Sequence, residues 1–97
     1  MIEVEKKVKY DRIAYYIKNT EIYHREDGPA IIFINGYKAW YFNGELHRDD
    51  GPAIVWDNGT LRWWLHGKWF SKKEGWFEAL AEEQKEKALY SEYFIKG

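Results

Sequence analysis

Residues 24–46, HREDGPAIIFINGYKAWYFNGEL, align without a gap on residues 47–69, HRDDGPAIVWDNGTLRWWLHGKW, and this 23-residue period decides the fold. Eleven positions are identical, among them His24/His47, Arg25/Arg48, Asp27/Asp50, Gly28/Gly51, Pro29/Pro52, Ala30/Ala53 and Trp40/Trp63, so the segment is a tandem repeat. Within each copy Asp-Gly-Pro, then Asn-Gly, then Asn43-Gly44 or His66-Gly67 punctuate short apolar runs. Asn-Gly between β-formers signals a hairpin, because both residues tolerate the positive φ of a type I′ turn. The reading is an antiparallel meander of repeated β-hairpins, two strands per repeat. The chain from Glu45 to Trp56 runs on through a kink or bulge at Asp50-Gly51-Pro52, where a strand accepts proline.

A degenerate half-copy comes first: Tyr15-Tyr16-Ile17 and Glu21-Ile22-Tyr23-His24 echo Trp40-Tyr41-Phe42 and Glu45-Leu46-His47. Residues 1–97 therefore read as one domain, with N-terminal cap strands (1–23), two repeats (24–46 and 47–69) and a helical cap (70–97). Period-two alternation through type I′ turns places Ile31, Phe33, Lys38, Trp40 and Phe42 on a core face, matched by Ile54, Trp56, Leu61, Trp63 and Leu65. Tyr37, Ala39, Tyr41, Thr60, Arg62 and Trp64 then point outward. After Phe70 the period becomes helical. Ser71-Lys72-Lys73-Glu74 reads as a capping box before Trp76, Phe77, Leu80, Ala81, Ala88 and Leu89, in one helix or two broken near Ala81. The helix caps one face or one open end of the sheet.

Fifteen Lys and Arg balance 16 Asp and Glu, for a net charge of -1. That excludes the single-sign field of a strongly basic nucleic-acid surface or an acidic DNA mimic. With no cysteine there are no disulfides, thiolate zinc sites, cysteine nucleophiles or redox switches. The N-terminal Met1-Ile2-Glu3-Val4-Glu5-Lys6-Lys7 lacks a signal-peptide run, and no stretch approaches the roughly 20 apolar residues of a membrane span. The expectation is a soluble cytoplasmic protein.

HREDGPA and HRDDGPA, each followed by Asn-Gly, Trp and a second turn at 23-residue spacing, resemble the MORN-repeat-variant class and, more closely, small repeat proteins of tailed bacteriophages. The likeness covers about residues 15 to 80. The general MORN pattern is richer in Gly-Tyr pairs and lacks His-Arg-x-Asp-Gly-Pro-Ala, so the phage-type repeat is the nearer relation. The resemblance implies a hairpin-stack scaffold for protein or membrane-surface contacts with no enzymatic activity in the repeat. A phage origin would imply interference with a host enzyme or defence system in the bacterial cytoplasm.

His24-x-x-Asp27 and His47-x-x-Asp50 have metal-ligand residue types, but repeats of two strands are offset by about 10 Å, which keeps the histidines from sharing an ion. Each site would hold two ligands where structural zinc takes four. Turn chemistry is the better reading: Asp27 and Asp50 cap the Gly-Pro bend while the arginines or histidines bond carbonyls. No metal and no cofactor are expected. Asp27/Asp50 or Glu26/Asp49 would be the acid pair of a small hydrolase, yet exposed turn acids have nothing to separate their pKa values. The serines, Ser71 and Ser91, lack an oxyanion loop, and no glycine-rich phosphate cradle exists. No catalytic residue is assigned.

The aromatic content, 6 Trp, 8 Tyr and 5 Phe, is the informative feature. Tyr37, Tyr41, Arg62 and Trp64 are residue types enriched at protein–protein hot spots and also able to stack on single-stranded bases. Packing of this face against the N-terminal segment is the competing structural explanation. Arg25 and Arg48, on the turn edge, are the second binding candidates. Lys6, Lys7, Lys9 and Arg12, interleaved with Glu3, Glu5 and Asp11, read as a solvated strand edge that discourages aggregation. The expectation is a non-catalytic protein-binding module that binds and inhibits a bacterial host protein. The alternatives are a nucleic-acid or nucleotide-binding module using the aromatic face and, behind it, a small hydrolase. The sheet edges offer a route to a homo-oligomer.

Overall fold

The computed structural model of the chain describes residues 2–94. Nine strands, β1 (Val4–Lys9), β2 (Arg12–Ile17), β3 (Ile31–Phe33), β4 (Lys38–Ala39), β5 (Tyr41–Phe42), β6 (Glu45–Leu46), β7 (Ile54–Val55), β8 (Leu61–Leu65) and β9 (Lys68–Phe70), precede helices α1 (Lys73–Glu78) and α2 (Glu82–Leu89). Every strand pairing is antiparallel, in the order β1-β2-β3-β4-β7-β8-β9, with β5-β6 as a separate two-stranded ladder. The repeats are hairpins, and helix is confined to the chain after Ser71. Met1 and residues 95–97 of the expected caps lie outside the described residues.

The HRxDGPA motif is a loop extruded from one long strand. His24 N–H donates to Tyr15 O at 3.1 Å while Tyr15 N–H donates to Ala30 O at 2.7 Å, so one residue of the preceding hairpin pins both ends of loop 25–29. Trp40 does the same for loop 48–52, bonding His47 at 3.1 Å and Ala53 at 2.7 Å. The loop arginine then folds back over that pinning residue. Arg25 lies 4.0 Å over the Tyr15 ring and Arg48 3.9 Å over the Trp40 ring. Each guanidinium also donates to its own aspartate (Arg25 to Asp27 at 2.9 Å, Arg48 to Asp50 at 2.7 Å) and to a proline carbonyl at 3.1 Å. Glycine is required beside it, since a Cβ on Gly51 would stand 2.7 Å from Arg48 Cζ and 2.9 Å from the Tyr93 ring. Ala30 and Ala53 are buried completely, leaving no room for a larger side chain. Gly51→Ala should displace Arg48 from Trp40 and cost about 1–3 kcal/mol, as overpacking does. Urea denaturation checks this, and an unchanged midpoint would show that the guanidinium has room to move.

The histidines complete the motif. His24 Nδ1 accepts from Asn43 N–H and His47 Nδ1 from His66 N–H, both at 2.9 Å. Asn43-Gly44 and His66-Gly67 are the true type I′ turns, with φ of 50°, 81°, 47° and 80° in order. Each histidine thus ties the start of its repeat to the turn at its end.

The face assignment from sequence needs correction. Asn35-Gly36 and Asn58-Gly59 are not type I′ turns, because only the glycines have positive φ. Phe33 N–H donates to Tyr37 O and Gly36 N–H to Phe33 O, which makes a three-residue loop ending in a left-handed glycine, and Trp56-to-Thr60 repeats it. One extra loop residue shifts the register by one and moves the incoming strand to the other face. Ile31, Phe33, Ile54 and Trp56 therefore share a face with Tyr37, Ala39, Tyr41, Thr60, Arg62 and Trp64, as the pairs Ile31–Ala39, Ala39–Ile54 and Ile54–Arg62 fix. Lys38, Trp40, Phe42, Leu61, Trp63 and Leu65 lie opposite.

That opposite face carries the helices. Trp63, Trp76, Leu80 and Ala88 form a buried cluster flanked by Leu61, Leu65, Phe70, Phe77, Tyr93 and Phe94. The Trp76 ring sits 4.7 Å from Trp63. Ser71 is exposed and does not cap. Lys72 stands at the α1 N-cap without a side-chain bond, so the expected capping box is absent. The chain breaks between α1 and α2 at residues 79–81.

Candidate functional site

The other face has no second layer among the described residues and protects itself with its own rings. Ala14, Ala39 and Ile31 are buried beneath half-buried Tyr16, Tyr23, Phe33, Tyr37, Tyr41, Leu46 and Ile54. Tyr16, Tyr23 and Tyr41 form a row with centroids 5.2 and 5.0 Å apart, and a second row runs Phe33–Tyr37–Trp56 at 5.7 and 4.8 Å. In the first row Tyr16 stacks on Tyr23 at 26° between ring planes while Tyr41 tilts against Tyr23 at 42°, so the faces between Tyr16 and Tyr23 are closed to solvent. Burial, and then the neighbouring phenols, raise the Tyr23, Tyr37 and Tyr41 pKa values. These hydroxyls stay protonated and remain donors.

Toward β9 the rows open into a shallow groove of about 390 Å³ lined by Ile54, Trp56, Asn58, Thr60, Arg62, Trp64 and Trp69. Trp64 and Trp69 are cross-strand partners. Trp56 and Trp69 are 43 % and 52 % exposed, high values for tryptophan. Trp64 is half-buried, and its indole Nε1 is buried with no acceptor among the described residues. Arg62 is exposed beside them, its guanidinium donating to Leu61 O at 3.1 Å. Lys7, Lys9 and Arg12 enter the same face from β1 and β2, with Glu5 among them.

Of the six residues named from sequence, Tyr37, Tyr41, Arg62 and Trp64 come together here. Arg25 and Arg48 do not: they belong to the extruded loops on the helix-bearing side, occupied by Asp27, Asp50 and the proline carbonyls. A cleft of about 510 Å³ lies between those loops, lined with Glu26, Asp49, Trp40 and His47 among others. Its Asp49 already accepts a bond from Gln84 of α2 at 2.8 Å. Sequence reasoning missed Trp56 and Trp69. Correcting the three-residue loop would have moved Trp56 to this face, and pairing Leu65 with Lys68 across His66-Gly67 would have brought in Trp69.

Among the described residues no three His, Cys, Asp or Glu side chains converge as a metal site would need, and no helix is long and apolar enough to cross a membrane. His47 stacks on His66 at 4.0 Å, and burial, then the His66 charge, lower its pKa against the opposing pull of Asp49 and Glu45. A histidine with a depressed folded pKa contributes full stability above its unfolded value of 6.5, and that contribution is lost as pH falls below it toward the folded value, because the unfolded chain binds the proton first. The melting temperature should drop across that window. His47→Asn, whose Oδ1 can accept the same bond without titrating, should flatten the slope, and an equal slope in both proteins would remove His47 from the account. Comparison with protein-family models, curated proteins and solved structures gives no match to this chain.

Proposed function

We propose that this protein is a non-catalytic binding module and that its partner is a protein docked on the aromatic sheet face. The observation that carries this reading is the groove around Trp56, Trp64 and Trp69: large rings, two of them substantially exposed, on a rigid sheet, with Arg62 at the centre and no covering element among the described residues. Tryptophan, tyrosine and arginine are the anchors of protein interfaces. A protein partner is favoured over single-stranded nucleic acid because bases need free ring faces. In the tyrosine row Tyr16 and Tyr23 stack on each other, and what is offered, ring edges, hydroxyls and the exposed Arg62 guanidinium, suits carbonyl and carboxylate acceptors. The resemblance to phage repeat proteins supports a bacterial cytoplasmic protein as the target, with inhibition as the consequence.

Quantitative capture from bacterial lysate tests this, comparing the natural sequence with Trp56→Ala/Trp64→Ala and with Asp49→Asn, which alters the cleft on the other side. A protein retained by the natural sequence and by Asp49→Asn but lost with the tryptophan variant supports the proposal. Retention of the same protein by the tryptophan variant contradicts it. Saturable, salt-dependent quenching of tryptophan fluorescence by oligo(dT) would favour the nucleic-acid alternative.

A further inference from the structure

The first strand is an open edge written in self-complementary charge. All six residues of β1 are exposed, Val4 and Val8 at 40 % and 68 %, and β1 ends the sheet with β2 as its one strand partner among the described residues. Lys9 pairs with Arg12 across the Tyr10-Asp11 turn, and further along Lys18 N–H donates to Glu3 O at 2.9 Å. The odd-numbered residues therefore spend their main-chain groups on β2, while Val4, Lys6 and Val8 direct theirs outward.

We propose that two copies of the protein pair through β1, antiparallel, about a two-fold axis at Lys6. In that register Val4 of one copy exchanges both main-chain hydrogen bonds with Val8 of the other, and Lys6 does so with its own equivalent. Glu5 faces Lys7 and Glu3 faces Lys9, twice each by symmetry, and Val4 packs on Val8. Moving the axis to Glu5 or to Lys7 halves the opposite-charge pairs, sets that residue against its own copy and breaks the Val4–Val8 match. The charges that discourage indiscriminate edge pairing thus leave one register favoured. Opposed residues in an antiparallel pair point to the same side, so the two aromatic faces become one continuous surface with Lys7 and Lys9 at its middle and a tryptophan groove toward each end. The helices lie at the β8–β9 ends on the other side and do not obstruct the contact. This inference stands independently of what binds the grooves.

An interface of one strand pair is small, so association is weak and concentration-dependent. Sedimentation equilibrium from micromolar to millimolar protein should show the mass rise from monomer to dimer. Lys7→Glu, which sets an acid against Glu5 twice in the dimer, should weaken association roughly tenfold or more, and Glu5→Lys/Lys7→Glu should restore it. In this cysteine-free chain Lys6→Cys should cross-link at the axis under mild oxidation, while Lys9→Cys, which faces Glu3, should not. Far-UV circular dichroism verifies that each variant is folded. A monomer at millimolar concentration, or a Lys7→Glu protein that associates as well as the natural one, overturns the proposal.

Discussion

Trp76→Ala lowers the unfolding free energy by about 3–5 kcal/mol, a large part of the stability of an ordinary small domain. Trp76 is completely buried, lies 4.7 Å from the Trp63 ring and 6.1 Å from Phe94, and donates from Nε1 to Arg48 O at 3.0 Å. Its place follows from the repeat. Tyr15, Trp40 and Trp63 are equivalent, and each needs a cover on the same side. Arg25 covers the first and Arg48 the second, but the next copy of that arginine position is Ser71, which cannot. Trp76 of α1 fills the vacant place and bonds the backbone of the preceding loop. The helix is therefore the terminal cap that a stacked repeat requires. Trp63→Ala should cost a similar amount, whereas Trp69→Ala, half-exposed on the other side, should stay near the small cost of a surface change. Chemical denaturation separates the cases, and a Trp76→Ala midpoint equal to that of the natural protein would contradict the capping role.

Trp56→Ala and Trp64→Ala each weaken partner binding by about thirtyfold, the effect of losing an interface anchor worth about 2 kcal/mol. Trp56 gives up a ring packed 4.8 Å from Tyr37 and 43 % open to solvent, so most of its loss falls on binding. Trp64 is half-buried and covers part of the sheet, so its removal also lowers the thermal transition, by less than removal of Trp63. Arg62→Ala should act in the same direction and make the remaining affinity less salt-sensitive. Titration calorimetry with the captured partner gives these differences. Affinities unchanged for both tryptophan variants would place the contact elsewhere.

The repeat and its hairpins are legible in the sequence because most of the identical residues serve turns and loops, and the helical cap because the apolar spacing changes after Phe70. The turn role of HRxDGPA is legible for the same reason. The stacking of Arg25 on Tyr15 and of Arg48 on Trp40 is not, since it joins residues that meet only once the extruded loop has folded back. The faces divided less clearly. Asn-Gly serves both a two-residue type I′ turn and the three-residue loop seen here, where Asn35 and Asn58 Oδ1 accept from the N–H of Tyr37 and Thr60 at 3.0 Å. Alternation cannot choose between them in Ile31-Ile32-Phe33 or Ile54-Val55-Trp56, where every position is apolar. It succeeds in Thr60–Leu65, where polar and apolar residues separate. The outward set Tyr37, Tyr41, Arg62 and Trp64 survived on one face, and the shift added to it the two rings assigned to the core, Phe33 and Trp56.

The six tryptophans divide evenly: Trp56, Trp64 and Trp69 on the open face, Trp40, Trp63 and Trp76 on the helix-bearing side. Each indole N–H gives one cross-peak in a proton–nitrogen correlation spectrum, assignable by single substitution to Phe. Titration of the labelled protein with its captured partner should shift or broaden the Trp56, Trp64 and Trp69 peaks while leaving those of Trp40, Trp63 and Trp76 in place. Movement of the second group with the first unmoved would contradict the claim that the aromatic sheet face is the partner surface.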